Sequence, residues 1–289
     1  MKITSKIKHT PLMKNIAGQD GTIFGNFLFR FDYKGRCVVY SMETKDRISE
    51  FVLDRPDIPP HSNAVCFGSE YYDKNDEFPL LYTNMYNNFD GKEDRLEGVC
   101  LVFRIMRNGN TFTSELVQII RIGFVENLDM WKSLPGNGDV RPYGNFVTDA
   151  ENKRLFAFTM RDKEQVTRFF EFALPSLSDG EYDQKLGAKV VTLMPHDIKS
   201  TFDISRSYYL QGACCHGGMI FSVEGFDLTE KNTVFIPHMK IVDLTTHEET
   251  DINLCDFELN LEPEFVDFYG ETLIYGDNRG NVYTFEFIL

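Results

Sequence analysis

The chain is poor in positive charge, and this shortage argues against partners that carry many phosphates. It has 30 lysines and arginines against 44 aspartates and glutamates, so the formal net charge is −14. A strongly acidic protein repels phosphate backbones and anionic lipid surfaces at long range. We therefore expect no nucleic-acid partner and no membrane partner.

Long apolar runs are also missing. No segment approaches the roughly 20 apolar residues of a membrane-spanning helix. The segment from Met1 to Asn15 lacks the apolar stretch of about 7 to 15 residues that a secretory signal needs. Together these absences predict a cytoplasmic protein.

Paired cysteine and histidine motifs are absent as well. The 6 cysteines lie within apolar runs and form no CxxC pair, which is typical of reduced, buried thiols. Cys214, Cys215 and His216 adjoin, and a reactive or metal-binding cluster is the alternative interpretation. Neighbouring strand residues point to opposite faces, however, so this trio is poorly arranged to hold one ion. The sequence requires no cofactor.

Aromatic residues are plentiful and favour strands. The 289 residues include 26 phenylalanines and 13 tyrosines but only 1 tryptophan, and 42% of the chain is hydrophobic. Flat aromatic side chains pack well on pleated surfaces. Long segments with a 3.6-residue period are absent, and glycine or Asn-Gly turns recur at short intervals. The chain is predicted to be a single all-β domain, residues 1–289.

A degenerate repeat indicates the architecture. Five times a polar residue precedes a short apolar run that stops at glycine or a turn, and two or three further strand-like runs follow each time. Self-similarity at this period is typical of propeller blades. The five polar residues are Asp20, Asn63, Asn145, Gln211 and Glu264.

We predict a five-bladed β-propeller whose N-terminal strand completes the last blade. The last unit runs out of chain after three strands, and the alternating segment 2–9 is available to pair with it, which removes an exposed sheet edge. The predicted blades are 20–54, 63–122, 145–195, 211–257 and 265–289 with 2–9. In the third blade we assign 188–194 as the last strand. Six blades or a pair of β-sandwiches are the alternatives, because the repeat spacing is uneven.

In this fold the polar residues ahead of the five inner strands gather at one mouth of the central channel. The loops that arrive there add basic and aromatic side chains. Loops on a rigid scaffold and concave polar openings are the usual places for sites. The predicted ligand-binding residues are His61, Asn63, Arg141, Tyr143, Asn145, Arg206, Tyr208 and Gln211.

These side chains suit a small polar, anionic or carbohydrate ligand, because arginine grips carboxylates or phosphates and tyrosine stacks on sugar rings. Oxygen ligands also make calcium a possible channel ion. Asp20 and Glu264 are weak candidates for a catalytic acid and base. A third hypothesis is a scaffold that binds another protein through its top face or through the loops at 87–98 and 175–187.

The segments HSNAVCFG, FPLLYTN and DVRPYGNF resemble an uncharacterised five-bladed propeller family of anaerobic gut-type bacteria. The resemblance covers most of the chain and implies the propeller fold, with no established activity. Asn63, Arg141 and Asn145 lie in the matching segments.

Five-bladed propellers that hydrolyse glycosides are the enzymatic comparison. Those enzymes place carboxyl groups near the channel mouth in three successive blades. Here Asp20 takes the first place, but Asn63 and Asn145 fall where the other two are expected, and an amide does not transfer the proton that glycoside cleavage requires. Glu264 and Asp149 would substitute only with rearranged geometry. A hydrolase therefore ranks behind a binding protein.

Overall fold

The computed structural model describes residues 6–14, 18–54, 64–85, 98–122, 140–161 and 164–288. Within these ranges the chain forms five sheets, which are arranged as the blades of a β-propeller. The predicted all-β, five-bladed fold is confirmed. Two short 3₁₀ helices, Pro195–Asp197 and Leu254–Phe257, are the only helical segments in these ranges.

Three blades are plain four-stranded antiparallel sheets. From the channel outward, blade 1 contains β2 (Gly21–Phe24), β3 (Phe27–Phe31), β4 (Arg36–Ser41) and β5 (Arg47–Val52). Blade 3 contains β10 (Val140–Asp149), β11 (Arg154–Arg161), β12 (Val166–Ala173) and β15 (Ser200–Ser205). Blade 4 contains β16 (Leu210–His216), β17 (Met219–Glu224), β18 (His238–Asp243) and β19 (Glu249–Asn253).

Blade 5 is completed by the N-terminal strand, as predicted. Its order from the channel is β20 (Pro263–Tyr269), β21 (Thr272–Asp277), β22 (Val282–Ile288) and β1 (Lys6–Met13). The antiparallel register of β1 and β22 runs from Lys6 opposite Ile288 to Met13 opposite Val282. His9 Nε2 lies 2.9 Å from the carbonyl oxygen of Phe257 in blade 4, so β1 is also tied to its neighbouring blade.

Blade 2 has six strands, two more than predicted. Four of them follow the usual order, and a hairpin from the third repeat is added at the outer edge. The strands are β6 (Val65–Phe67), β7 (Leu81–Met85), β8 (Val99–Asn108), β9 (Thr111–Ile122), β14 (Ala188–Leu193) and β13 (Glu181–Asp183). Strand β14 lies parallel to β9, with Lys189 opposite Gln118.

The assignment of 188–194 as the outer strand of blade 3 is therefore wrong. That position belongs to β15, which pairs with β12 from Val166 opposite Ser205 to Glu171 opposite Ser200. The long connection before β14 reaches back to blade 2, where the Glu70 carboxylate accepts hydrogen bonds from Ser176 Oγ at 3.0 Å and from the amide of Leu177 at 3.1 Å. The 175–187 loop thus lies on blade 2.

Each of the five wedges between neighbouring blades holds its own hydrophobic cluster. The wedge between blades 1 and 2 is the most aromatic: the ring of Phe29 lies 5.3 Å from Phe67, 5.4 Å from Phe78 and 5.7 Å from Phe112, in edge-to-face geometry. Aromatic pairs of this kind add to the gain from apolar burial. Because the fifth wedge joins blades 5 and 1, the ring is closed, and the six-blade and sandwich alternatives fail.

All 6 cysteines are free thiols, and burial raises the pKa of Cys66 to about 12. No helix in the described ranges has the length and apolar character to cross a bilayer.

Candidate functional site

Side-chain hydrogen bonds join the inner strands across blade boundaries. Asp20 Oδ2 accepts from the amide of Val65 at 2.8 Å, which links blade 1 to blade 2. Asp267 Oδ2 accepts from the amide of Ile23 at 2.7 Å, which links blade 5 to blade 1. Thr148 Oγ1 donates to the carbonyl oxygen of Phe67 at 3.2 Å, which links blade 3 to blade 2. The Asp20 contact lies where the inner strands begin, at the opening here called the channel mouth, whereas the Thr148 contact lies where β10 and β6 end.

Gly212 marks the point where three blades come closest at the channel mouth. A Cβ on Gly212 would lie 2.8 Å from Asp20 Oδ1 and 3.0 Å from the main-chain oxygen of Glu264. The structure therefore brings together three of the five polar residues that precede the inner strands: Asp20, Gln211 and Glu264. Only glycine fits this contact, because the neighbouring atoms belong to backbone and to a fixed carboxylate.

Replacing Gly212 with alanine is expected to lower the free energy of unfolding by about 2 kcal/mol, because the added methyl group overpacks the contact between blades 1, 4 and 5. Urea denaturation measures the change. Gly217→Ala in the same blade is the control: its φ is +56° and nothing lies within 4 Å of the added atom, so it should cost only the backbone strain of about 1 kcal/mol. Equal losses of unfolding free energy in the two variants would show that Gly212 does not lie in close contact with Asp20 and Glu264.

A buried arginine lies beneath the channel mouth, and sequence reasoning missed it. Arg30 on β3 is 0% exposed, and its guanidinium carbon lies 4.8 Å from the centre of the Phe265 ring. Its Nη2 donates to the carbonyl oxygen of Gly18 at 3.2 Å, while Nε and Nη1 are buried without a hydrogen-bond partner. Its positive charge is balanced electrostatically by Asp20 and Glu264. The sequence feature that could have indicated its burial is the single charged residue inside the apolar run FLFRF.

Burial dominates the electrostatics of the carboxyl groups around Arg30. It raises the pKa of Asp20 well above its usual range, against the opposing effects of the Gly21 and Val65 amides and of Arg30. It also raises the pKa of Glu264 to about 8; repulsion from Glu262 adds to this, and Arg30 opposes it. Glu264 therefore holds its proton near neutral pH.

A hydrogen-bonded rim joins blades 4 and 5 beside Glu264. Gln211 Nε2 donates to Glu262 Oε1 at 2.7 Å. Asn278 Nδ2 donates to Asp227 Oδ1 at 3.0 Å and to Glu262 Oε2 at 3.3 Å. The amide of Glu262 also donates to Asp227 at 2.7 Å. Asn278 Oδ1 is enclosed and accepts no hydrogen bond. The rim therefore offers an acceptor, while the side-chain amide groups of Gln211 and Asn278 already donate to Glu262 and Asp227.

An aromatic group borders this rim. Tyr209 has a φ of +59°, an uncommon conformation for a bulky residue, and its carbonyl oxygen accepts from the amide of Gly225 at 3.2 Å. The Tyr209 ring packs 4.3 Å from Phe226 and 5.4 Å from Phe235, yet the residue is 47% exposed. Non-glycine residues with positive φ recur at functional sites, where packing enforces them. Tyr209 thus offers a fixed, exposed ring.

The other sequence-predicted site residues have different outcomes. Arg206 and Tyr208 pair with each other, with the guanidinium 4.9 Å from the ring centre, and Tyr208 joins the aromatic group through Phe235 at 5.1 Å. The remaining five stay predictions, because their side chains lie outside the described residues: His61, Asn63, Arg141, Tyr143 and Asn145. Of these, the last three lie on β10, whose backbone is described.

Two of the carboxyl groups considered for catalysis are poorly placed for it. Asp20 is fully buried beneath Gly212 and already accepts the Val65 amide, so no open face remains for a substrate. Asp149 ends β10 at the opposite end of the channel, where Arg154 Nη2 binds it at 2.7 Å. Glu264 is the member of the set that stays at the mouth.

A metal site receives no support within the part of the chain that the structure describes. No group of three or more histidine, cysteine, aspartate or glutamate side chains in those ranges has an arrangement that could hold an ion. The suggested channel calcium has no ligand set there.

A second concavity, of about 500 Å³, lies on the outer part of blade 2. Its lining includes Arg121, Tyr182, Leu186 and Val190, all from the added hairpin and its neighbouring strand. None of the buried, unpartnered polar atoms of the described residues belongs to its lining. The channel mouth is therefore the stronger candidate site.

Comparison with known proteins assigns the chain to no family and to no activity. No protein-family profile and no curated protein matches the chain. A glutaminyl cyclase from Myxococcus xanthus is 10% identical, with 97% of this chain and 94% of that chain covered and a TM-score of 0.49. A protein described as a putative oxidoreductase (glucose dehydrogenase) from Thermus thermophilus is 9% identical, with 97% and 100% covered and a TM-score of 0.48. A computationally designed protein, Ika8, is 8% identical, with 96% and 99% covered and a TM-score of 0.38. Similarities at this level carry no argument about activity.

Proposed function

We propose that the protein binds a small, hydroxyl-rich molecule of the carbohydrate class at its channel mouth. The observation that carries the proposal concerns Glu264, which is 5% exposed. On the same rim, Asn278 Oδ1 is enclosed and accepts no hydrogen bond. A buried polar group without a partner costs free energy, so such groups in native proteins normally have a partner, a water or a ligand.

The hydrogen-bonding inventory favours a ligand that donates. The amide donors of Gln211 and Asn278 are engaged with Glu262 and Asp227, whereas Glu264 and Asn278 Oδ1 remain acceptors. Sugar hydroxyl groups supply the missing donors, and a phosphate or carboxylate does not. The acidic rim therefore supports the carbohydrate part of the sequence-based hypothesis and not its anionic part.

Tyr209 supports the same class of ligand. Its ring is exposed, two residues before Gln211 in the chain, and packs against Phe226 and Phe235. Aromatic rings with an apolar face and a polar edge are well suited to the mixed surface of a sugar. Acceptors together with one rigid aromatic face make a site for a neutral polyol.

The two other functional classes are less well supported. A glycoside hydrolase would need a second reachable carboxyl group at a defined distance from Glu264, and Asp20 is closed to a substrate. A protein-binding scaffold is less favoured because the 175–187 loop is fastened to Glu70 on blade 2. The loop at 87–98 lies outside the described residues apart from Gly98.

Binding is tested by a calorimetric screen of glucose, galactose, mannose and sorbitol against the wild-type chain, Glu264→Gln and Glu271→Gln. Glu271 is the matched control, since its side chain is 96% exposed. At least one neutral probe should bind, and at pH 9, where Glu264 is ionised, Glu264→Gln should weaken that binding about tenfold or more, because it removes a charged hydrogen-bond acceptor. Glu271→Gln should leave binding unchanged. The proposal fails if no probe binds or if Glu264→Gln binds like the control.

A further inference from the structure

The channel mouth carries a surplus of negative charge around Glu264. The carboxyl groups of Glu262, Asp227 and Asp277 repel its ionised form, and Arg30 attracts it. Arg279 lies 4.0 Å from Asp227, but its side chain is 69% exposed. Arg30 is fully buried and also serves Asp20. Repulsion between carboxylates that share one site disfavours the ionised form of each. A positive charge brought by a ligand would relieve this repulsion, and a neutral hydroxyl group would not.

We infer that the hydroxyl-rich ligand also carries a protonated primary amine, which faces Glu264 and Glu262. The ligand class is then an amino sugar or amino polyol. This inference rests on the proposed function, because it names the chemistry of the molecule that the same site takes. An ammonium group has three donors and no acceptor, which matches a rim where Asn278 Oδ1 is enclosed without a donor.

A second, independent feature supports an amine: the enclosed acceptor at Asn278 is a neutral amide oxygen. The donor side of this amide is held by Asp227 and Glu262, so its orientation is fixed and its oxygen cannot exchange places with the nitrogen. An ammonium ion between Glu264 and Asn278 would donate both to a carboxylate and to the amide oxygen. Charge-assisted hydrogen bonds of this type are about twice as strong as neutral ones.

A metal ion is the other cation that could occupy an acidic rim, and the geometry disfavours it. Both carboxylate oxygens of Glu262 already accept hydrogen bonds, from Gln211 and from Asn278. Calcium prefers six to eight oxygen ligands, and no three carboxylates in the described ranges converge for such a site. An ammonium group needs only the acceptors that are present.

The experiment compares sorbitol, glucamine and gluconate, which share one carbon chain and end in a hydroxymethyl, an aminomethyl or a carboxylate group. Calorimetry is run at pH 7 with a chelator present. Glucamine should bind about tenfold or more tightly than sorbitol, and gluconate should bind most weakly. Glu264→Gln should remove most of the preference for glucamine, whereas Glu271→Gln should keep it.

Proton release on binding tests the role of the Glu264 carboxylate directly, which a loss of affinity alone does not. Because Glu264 holds a proton near neutral pH, an ammonium group that needs its carboxylate should displace that proton, and sorbitol should not. Titrations in buffers of different ionisation enthalpy measure the release, which Glu264→Gln should abolish. If sorbitol binds as tightly as glucamine with no proton released, the amine inference is overturned and the proposed function stands. If none of the three nor any sugar in the screen binds, both fall.

Discussion

Replacing Arg30 with methionine is expected to lower the free energy of unfolding by about 3 to 5 kcal/mol, because removal of one partner leaves buried charges uncompensated. Arg30 is the cation that balances Asp20 and Glu264, and its stem packs over Phe265. Methionine keeps much of the apolar volume, so the loss reports mainly the missing charge. Urea denaturation at pH 9, where Glu264 is ionised, measures it.

A double-mutant cycle identifies the source of this loss. Asp20→Asn removes one of the carboxyl groups that Arg30 neutralises, so the double variant should lose at least about 1 kcal/mol less than the sum of the two single losses. Arg279→Met is the control, because the Arg279 side chain is 69% exposed and lies 4.0 Å from Asp227. If Arg30→Met lowers the free energy of unfolding no more than Arg279→Met does, the buried charge of Arg30 does not stabilise the fold.

The folded state is expected to lose roughly 8 kcal/mol of stability as the pH rises from about 5 to about 9. Burial raises the pKa of Glu264 from 4.5 to about 8, that of Glu224 from 4.5 to about 7, and that of Asp267 from 3.8 to about 6. The folded protein therefore holds these protons more tightly than the unfolded chain. Their contribution is fully present below about pH 4 and is lost as the pH passes the folded values.

Urea denaturation at pH 5, 6, 7, 8 and 9 tests the direction and the assignment. Glu264→Gln should flatten the upper part of the profile, between about pH 6 and pH 9, because glutamine keeps a neutral group there at every pH. Glu271→Gln should run parallel to the wild-type profile. Stability that is constant or that rises between pH 5 and pH 9 would contradict the assignment of these buried acids.

The architecture could be predicted because the information lies in local patterns. Each inner strand has a polar residue followed by a short apolar run, and the segment before Met13 has the alternation of a strand with no partner nearby. The local pattern does not show which distant strand a given segment pairs with. The run at 188–193 looks like a strand whether it pairs with β12 or with β9, so its place in blade 2 was not predictable.

The site was only partly predictable for a related reason. Asp20, Gln211 and Glu264 precede inner strands, and the fold alone brings such positions together. Arg30 was missed because the alternating pattern of a strand suggests that its polar face is exposed. In a propeller, neighbouring blades cover both faces of each blade. Asn278 was missed because it occupies a common turn sequence. His61, Asn63, Arg141, Tyr143 and Asn145 stay predictions.

The pairing of β1 with β22 has a consequence during protein synthesis. Lys6 emerges from the ribosome long before its partner Ile288, so the nascent chain carries an unpaired strand until the segment of β22 has been synthesised. Contacts of such high sequence separation form slowly, and an open edge is the element by which partly folded chains recognise one another. Final closure of the last sheet is therefore the step most in need of chaperone protection.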